Sequence, residues 1–175
     1  MTATRRPRTV WVDGEIADML RPQRELLRGL AEEGRWPITV VLSSPGGLVD
    51  GGFALMDEIA AVRAAGVPVH GLVQGLAASM AVTILQACEY RAAGPHALLM
   101  VHGPHGWVYG DQRDRKAHEH GYALQVARLA RAYAARTAPL GGMDLRDWER
   151  IFEEDTPIWL SAEEALRRHL VDAIV

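Results

Sequence analysis

The chain has 175 residues, of which 49% are hydrophobic and 23% are charged; this size and composition are typical of one globular domain and exclude disordered and low-complexity classes. Its 22 acidic and 19 basic residues give a formal net charge of −3, so neither a basic field for nucleic acid nor an acidic interaction tail is expected. Cys88 is the single cysteine, which excludes an intramolecular disulfide and a cysteine-based zinc site and fits a reducing compartment.

Runs rich in β-branched and apolar residues predict strands at 9–12, 37–42, 67–73 and 97–101. Apolar residues at helical spacing predict helices at 16–33, from about Phe53 to Gly66, and at 76–87, 111–136, 144–153 and 161–168. The last helix opens with Ser161 and Glu164 at the spacing of a capping box. Because strands alternate with crossover helices, we expect an α/β fold, with one domain over 1–175 and a parallel sheet built from βαβ units.

The sequence contains none of the common nucleotide-binding and hydrolase motifs, such as G-x-x-x-x-G-K, G-x-G-x-x-G, H-E-x-x-H or G-x-S-x-G. His118 and His120 form an H-x-H pair. On a helix they point to different sides, so surface histidines are favoured over a metal site. Three segments at the ends of predicted strands remain as candidates for chemistry.

The first candidate is a serine at a strand-to-helix junction, in Gly75-Leu-Ala-Ala-Ser79-Met80. A nucleophile there would stand at a helix N-terminus, whose free N–H groups and dipole favour developing negative charge. Ser79 could instead cap the helix, as most serines in such positions do. From this segment alone, capping is the favoured interpretation.

The second candidate is His102, which ends the fourth predicted strand in Met100-Val-His102-Gly-Pro104-His105. Ligands gather at this edge of parallel α/β sheets, and a histidine there could accept the proton of Ser79 during nucleophilic attack. A strand-end histidine satisfied by nearby backbone is the competing interpretation. His105 is the neighbouring competitor for the role of base.

The third candidate is the turn Ser43-Ser-Pro-Gly46-Gly47, where the second predicted strand gives way to a helix. Two glycines let the backbone approach a ligand closely, so the amide of Gly47 could donate to an oxyanion. An ordinary turn is the alternative. Each of the three signals is weak by itself, and their order along the chain is what makes them informative.

Taken in that order, the segments resemble the proteolytic subunit of the Clp protease (ClpP), a serine peptidase family with a crotonase-like fold. The matching landmarks are Ser44-Pro-Gly-Gly47, Gly75-Leu-Ala-Ala-Ser79-Met80, Met100-Val-His-Gly-Pro104, Ser161-Ala-Glu-Glu-Ala165 and Leu170-Val-Asp172. They agree in order and spacing over nearly the whole chain. The resemblance implies the ClpP/crotonase-like fold, with stacked βαβ units and a protruding handle segment at about 103–137.

The resemblance also implies a mechanism, with Ser79 as nucleophile, His102 as general base, and the amides of Gly47 and Met80 as the oxyanion hole. Peptides or unfolded proteins would be cleaved inside an oligomeric chamber of stacked heptameric rings, without a cofactor or metal. A Clp-type AAA+ ATPase would feed the chamber. The helix at 111–136 would join the two rings.

Two positions depart from the family pattern. The family has an aspartate four residues before Ser161, where this chain has Pro157. Asp155 is the expected triad acid, if inserted residues return it to the site; the alternative is an exposed acid at a helix end. Gly103 stands where the family commonly has glutamine.

These departures keep a second hypothesis open, in which the chain is a catalytically weak or inactive structural subunit that assembles with an active paralogue. A third hypothesis is another crotonase-fold activity, such as thioester chemistry on acyl-CoA. The pairing of Ser79 with His102 argues against it, since those enzymes rely on carboxylates and oxyanion amides.

The predicted helix at 111–136 bears on association, because a small domain can hardly bury its apolar residues Tyr122, Val126, Leu129 and Tyr133 by itself. This predicts a homo-oligomer, unless the helix folds back on its own core. The most apolar stretch, 75–85, is too short to cross a bilayer, and no targeting segment is recognised. We therefore expect no membrane association and a cytoplasmic location.

Overall fold

The computed structural model of the chain describes residues 7–105, 112–154 and 156–175. The strands are β1 (Thr9–Asp13), β2 (Ile38–Ser44), β3 (Val69–Ala78), β4 (Tyr90–Ala93), β5 (Leu98–Val101), β6 (Ile158–Ser161) and β7 (Ala173–Ile174). The helices are α1 (Arg21–Glu32), α2 (Val49–Ala64), α3 (Met80–Ala87), α4 (Gln112–Thr137), α5 (Leu145–Glu154) and α6 (Ala162–Arg167), and a 3₁₀ turn at Ala138–Leu140 follows α4. Of the described helices, none is long and apolar enough to cross a membrane.

The strands form a mixed sheet in which β1, β2, β3, β4 and β7 lie side by side and run parallel. The second half of β3 continues beyond β4 and pairs with β5, also in parallel. β6 pairs with β5 in the antiparallel direction, from Leu98 opposite Ser161 to Val101 opposite Ile158. The α/β fold is confirmed. The prediction of a purely parallel sheet is wrong at this edge, because β6 runs antiparallel to β5.

The helix predicted at 16–33 begins only at Arg21. Pro22 lies in its first turn, where a missing N–H is tolerated, and Leu20 before it has left-handed backbone angles. The residues between β1 and this helix are not helical, and Ile16 among them forms a β-bridge with Gly47. This bridge ties the chain after β1 to the loop after β2.

Other boundaries differ because neighbouring strands extend or create short elements. β3 continues past its predicted end to Ala78, so α3 begins later than expected, at Met80. β4, β6 and β7 were not predicted, since runs of two to four residues carry little periodicity. The capping box is confirmed: the Ser161 hydroxyl accepts from the Glu164 N–H at 3.2 Å, and the Glu164 carboxylate accepts from the Ser161 N–H at 2.8 Å.

Helix α4 packs against the core of its own chain. Tyr133 is 1% exposed and its ring contacts those of Trp148 and Phe152 in α5, with centroids 4.6 and 5.4 Å apart. Its hydroxyl lies 3.2 Å from the Thr83 hydroxyl in α3, and burial raises the pKa of Tyr133 above its ordinary value. The alternative in which this helix folds back on its own core is therefore the one observed, and the burial of these residues needs no partner chain.

An ion pair between a buried arginine and a half-buried aspartate fastens the C-terminal strand to the sheet. Arg91, in β4, donates from its backbone N–H and its Nε to Asp172 Oδ2 at 2.8 and 3.1 Å, and its Nη1 donates to Gln86 Oε1 at 2.6 Å. The Arg91 side chain is 1% exposed. Burial by itself would raise the pKa of Asp172, but the hydrogen bonds and charge of Arg91 hold it below its usual value.

Candidate active site

Ser79 occupies the turn between β3 and α3, with φ 56° and ψ −125°. A positive φ is strained for a residue with a side chain, and a sharp strand-to-helix turn of this kind exposes a nucleophile at the edge of a sheet. The Ser79 side chain makes no capping hydrogen bond to α3. The capping interpretation is therefore wrong, and the strained turn instead places Ser79 in the wall of a cavity.

Parallel pairing of β3 with β5 brings His102 to the same edge as Ser79. Ala78 pairs with Met100, and the Ser79 N–H donates to the Met100 carbonyl at 2.7 Å. His102 follows the last residue of β5. Because the carboxyl ends of parallel strands meet at one edge, Ser79 and His102 line one cavity.

The loop after β2 passes directly against the Ser79 turn. A Cβ on Gly46 would lie 2.6 Å from the Ala78 carbonyl oxygen and 2.7 Å from Ser79 Cβ, and a Cβ on Gly47 would lie 2.3 Å from the Ile16 carbonyl oxygen. Both glycines have positive φ, 95° and 143°. Close approach and backbone angle together require glycine at these two positions.

The bridge between Ile16 and Gly47 sets the direction of the Gly47 amide. Ile16 donates to the Gly46 carbonyl at 2.8 Å and accepts from the Leu48 N–H at 2.7 Å, so the Gly47 N–H takes no part in the bridge. Met80 opens α3, where an N–H has no acceptor one turn earlier in the helix. Two N–H groups outside the strand and helix bonding of the described chain are what an oxyanion hole requires.

These segments enclose a cavity of about 410 Å³. Gly46, Gly47, Ser79 and His102 contribute to its wall, together with Glu15 and His105, which are both exposed. The rings of His102 and His105 are 4.4 Å apart between centroids, with 37° between their planes. Within the described part of the chain, no three His, Cys, Asp or Glu side chains are placed to hold a metal ion.

The structure thus gathers most of the residues singled out in the sequence. Ser79, His102 and Gly47 line the cavity, and the Met80 N–H follows directly on Ser79. His105 lines the same cavity, so geometry leaves two histidines as candidate bases. Asp155 lies outside the described residues.

The residue that precedes β6, at the end of the strand nearest His102, is a proline. Val101 pairs with Ile158, and the same register continued by one residue brings Pro157 across from His102. Pro157 has neither a carboxylate nor a backbone N–H to offer the imidazole. The strand register is regular from Ile158 to Ser161, so any insertion that moves Asp155 must lie before Ile158.

Glu15 is the charged residue of the described cavity wall that sequence reasoning missed. It comes just before the span predicted as helical, 16–33, and nothing in its surroundings suggested a site. The structure places it in the extended segment that the Ile16–Gly47 bridge holds against the glycine loop. The signal that could have found it is Pro22, which disfavours a helix starting as early as Ile16.

Comparison with known proteins identifies related sequences. The family model described as Clp protease matches residues 3–175. The ATP-dependent Clp protease proteolytic subunit 1 of Chlamydia muridarum is 36% identical over 144 residues, covering 79% of this chain and 70% of that protein. The protein of the same name from Chlamydia trachomatis serovar D is 35% identical over the same shares of the two chains.

A solved structure is also similar over nearly the whole fold. A point mutant of ClpP1 from Listeria monocytogenes superposes with a TM-score of 0.82 at 26% sequence identity. The match covers 97% of this chain and 91% of that one. Sequence and fold therefore agree on the same group of relatives.

Proposed function

This chain belongs to the Clp protease family, and we propose that it is a serine-type endopeptidase. Ser79 is the nucleophile, His102 is the general base, and the Gly47 and Met80 amides form the oxyanion hole. The observation that carries the proposal is the strained Ser79 turn, which faces the same cavity as His102 and the glycine loop. No other strained serine turn occurs at a cavity of the described chain.

The reaction follows from the arrangement. Ser79 Oγ attacks the carbonyl carbon of the scissile peptide bond while His102 accepts the hydroxyl proton. The carbonyl oxygen takes up negative charge, which the Gly47 and Met80 N–H groups stabilise. His102 then gives its proton to the departing amine, and the acyl group stays on Ser79 until water, activated by the same imidazole, releases it.

Asp155 is the proposed third member, which would hold the His102 imidazole in the tautomer that accepts the proton of Ser79. Support comes from the sequence, in which Asp155 lies two residues before Pro157. The β5–β6 register, continued by one residue, brings Pro157 toward His102. An oxyanion hole with a serine–histidine pair retains part of the rate enhancement without an acid. The proposed peptidase activity therefore does not depend on Asp155 completing the triad.

The wider setting proposed for this activity follows the family. Peptides or unfolded proteins are the substrates, cleavage takes place inside an oligomeric chamber of heptameric rings in the cytoplasm, and a Clp-type AAA+ ATPase delivers the chains. No cofactor, nucleic acid or membrane takes part in the proposed reaction. The name of the two relatives, ATP-dependent Clp protease proteolytic subunit 1, supports the ATP-dependent proteolysis in this setting.

The test is intact mass spectrometry after treatment with a simple fluorophosphonate, with Ser79→Ala beside the wild type. One adduct per chain, absent from Ser79→Ala, is expected. Peptide mapping should place the adduct on Ser79 and on no other serine. A folded, assembled sample that takes up no adduct contradicts the proposal.

A second candidate function is a structural ring subunit that assembles with an active paralogue. Pro157 favours it, because the β5–β6 register continued by one residue brings a side chain without a carboxylate toward His102. This candidate predicts a ring-sized particle without serine labelling. It also predicts that Pro157→Asp, which places a carboxylate across from His102, creates labelling of Ser79 where the wild type shows none.

A further inference from the structure

Glu15 stands at a fixed place beside the proposed oxyanion hole. Gly14 donates to the Ser43 carbonyl at 2.9 Å, and Ile16 exchanges two hydrogen bonds with the residues that flank Gly47. Ile16 is 1% exposed and points into the core, so in this extended segment the neighbouring Glu15 points to the opposite side. That side is the cavity that Ser79 lines.

The carboxylate of Glu15 is not used by the fold. It forms no ion pair or hydrogen bond with the described residues, unlike Asp18 in the same loop, whose Oδ1 accepts from the Leu20 N–H at 2.7 Å. Among the described residues that line the cavity, Glu15 is the sole carboxylate, and neither lysine nor arginine lines it. The described wall is otherwise made of glycine, proline, valine, serine and histidine.

We propose that Glu15 is a specificity-determining residue, which favours substrates with a cationic side chain, arginine above all, next to the scissile bond. This inference rests on the function proposed above and names the substrate class of that site. A peptide whose carbonyl reaches Ser79 and the Gly47 amide passes over the segment that bears Glu15. Its neighbouring side chain can then meet the carboxylate.

The chemistry favours arginine over lysine. A guanidinium offers a planar pair of N–H donors that matches a carboxylate, and it sheds water more readily than an ammonium group. Glu15 is exposed, so the pair remains screened by solvent. We expect a preference of about two- to fivefold in kcat/KM over a neutral side chain, falling as salt shortens the screening length.

The experiment compares internally quenched peptides that differ only in arginine or its neutral analogue citrulline, on either side of a mapped cleavage site. Wild-type protein should cleave the arginine peptide about two- to fivefold faster at one of the two positions. Glu15→Gln should remove the difference, and Glu15→Lys should invert it. Asp13→Asn is the matched control. It also removes a carboxylate from this part of the chain, but Asp13 does not line the cavity.

The outcomes separate the two proposals. Equal rates for arginine and citrulline at both positions, or a preference that persists in Glu15→Gln, overturn the role of Glu15 while Ser79 labelling stands. A preference lost equally in Asp13→Asn points to a general field and also overturns it. If a simple fluorophosphonate does not label Ser79, the proposed function fails and the specificity falls with it.

Discussion

The two sides of the cavity are built in different ways. On the serine side, Gly46 packs against the Ser79 turn at distances that admit no Cβ, and the pairing of the central strands β2 and β3 extends to Ser44 and Ala77 beside these segments. On the histidine side, His102 follows β5, a four-residue strand whose outer partner β6 is equally short. The core of the sheet positions the proposed nucleophile, and the edge of the sheet positions the proposed base.

This difference explains where the chain departs from its family. Gly103 and Pro157 both lie on the histidine side, whereas the Ser44–Gly47 and Gly75–Met80 landmarks are intact. A segment enclosed by neighbouring backbone accepts few substitutions, because each added atom must displace main chain. An edge strand and the loop after it have fewer such neighbours and vary more freely.

Replacing His102 should have the largest effect on the reactivity of Ser79. His102→Ala removes the proposed base and should slow fluorophosphonate labelling about a thousandfold or more. His105→Ala is the matched control on the same segment and should change the rate by less than about tenfold. Second-order labelling rates, measured by intact mass at several times, decide between the two histidines; the reverse ranking would transfer the role of base to His105.

Adding a methyl group to Gly46 should have the next largest effect. Gly46→Ala places Cβ 2.6 Å from the Ala78 carbonyl oxygen, and a displacement of about 1 Å in the Ser79 turn is expected to slow labelling about a hundredfold. Gly75→Ala is the control, since Gly75 also has positive φ (73°) but nothing within 4 Å of its Cβ position. Similar rates for the two variants would show that the serine side is not held by this contact.

The proposed acid should have a smaller effect. Asp155→Asn should lower the rate of Ser79 acylation by peptide substrate at least about tenfold, because His102 loses the partner that orients it. Glu154→Gln, one residue away and exposed, should leave the rate unchanged. The rates of the variants and the wild type are compared as kcat/KM for steady-state cleavage of a quenched peptide. Equal rates for Asp155→Asn and the wild type would assign the chain a serine–histidine pair without an acid.

The ion pair between Arg91 and Asp172 should affect stability and leave the labelling rate unchanged. Asp172→Ala leaves the buried guanidinium without its carboxylate and should cost about 3 kcal/mol in the free energy of unfolding, measured by urea denaturation. The pKa of Asp172 is lowered in the folded state. Its contribution is therefore present above the unfolded pKa of about 3.9 and is lost as the pH falls through the folded value.

A pH series of urea denaturation checks that sign. Wild-type protein should lose more stability than Asp172→Ala as the pH falls below about 4. Parallel curves for the two proteins would contradict the linkage. Unchanged Ser79 labelling in Asp172→Ala at neutral pH would show that this ion pair supports the sheet and has no part in the cavity.

Sequence alone was enough to identify the candidate residues that follow regular strands. Ser79, His102 and Gly47 each come after a run of β-branched or apolar residues, and the carboxyl ends of parallel strands meet at one edge. The helices α2, α4 and α5 were predicted for a similar reason, since their apolar residues recur at helical spacing over several turns. A local pattern of apolar residues is enough to predict an element when it recurs over several turns of the chain.

What the pattern could not supply are the contacts between segments far apart in the chain. β4, β6 and β7 are too short to be periodic and exist because a neighbouring strand offers them hydrogen bonds. The burial of Tyr133 depends on α5, which lies beyond it in the sequence. The place of Glu15 depends on the bridge between Ile16 and Gly47.

The sequence by itself determined the α/β fold and the candidate positions of Ser79 and the two glycines, because hydrophobic patterns and glycine pairs are properties of short segments. Only the tertiary structure decided that β6 runs antiparallel to β5, which brings Pro157 toward His102, and that Glu15 lines the cavity. The place of Pro157 depends on strand register, and the place of Glu15 depends on a single bridge. Those pairings are chosen by the energy of the whole sheet, and no local run of residues encodes them.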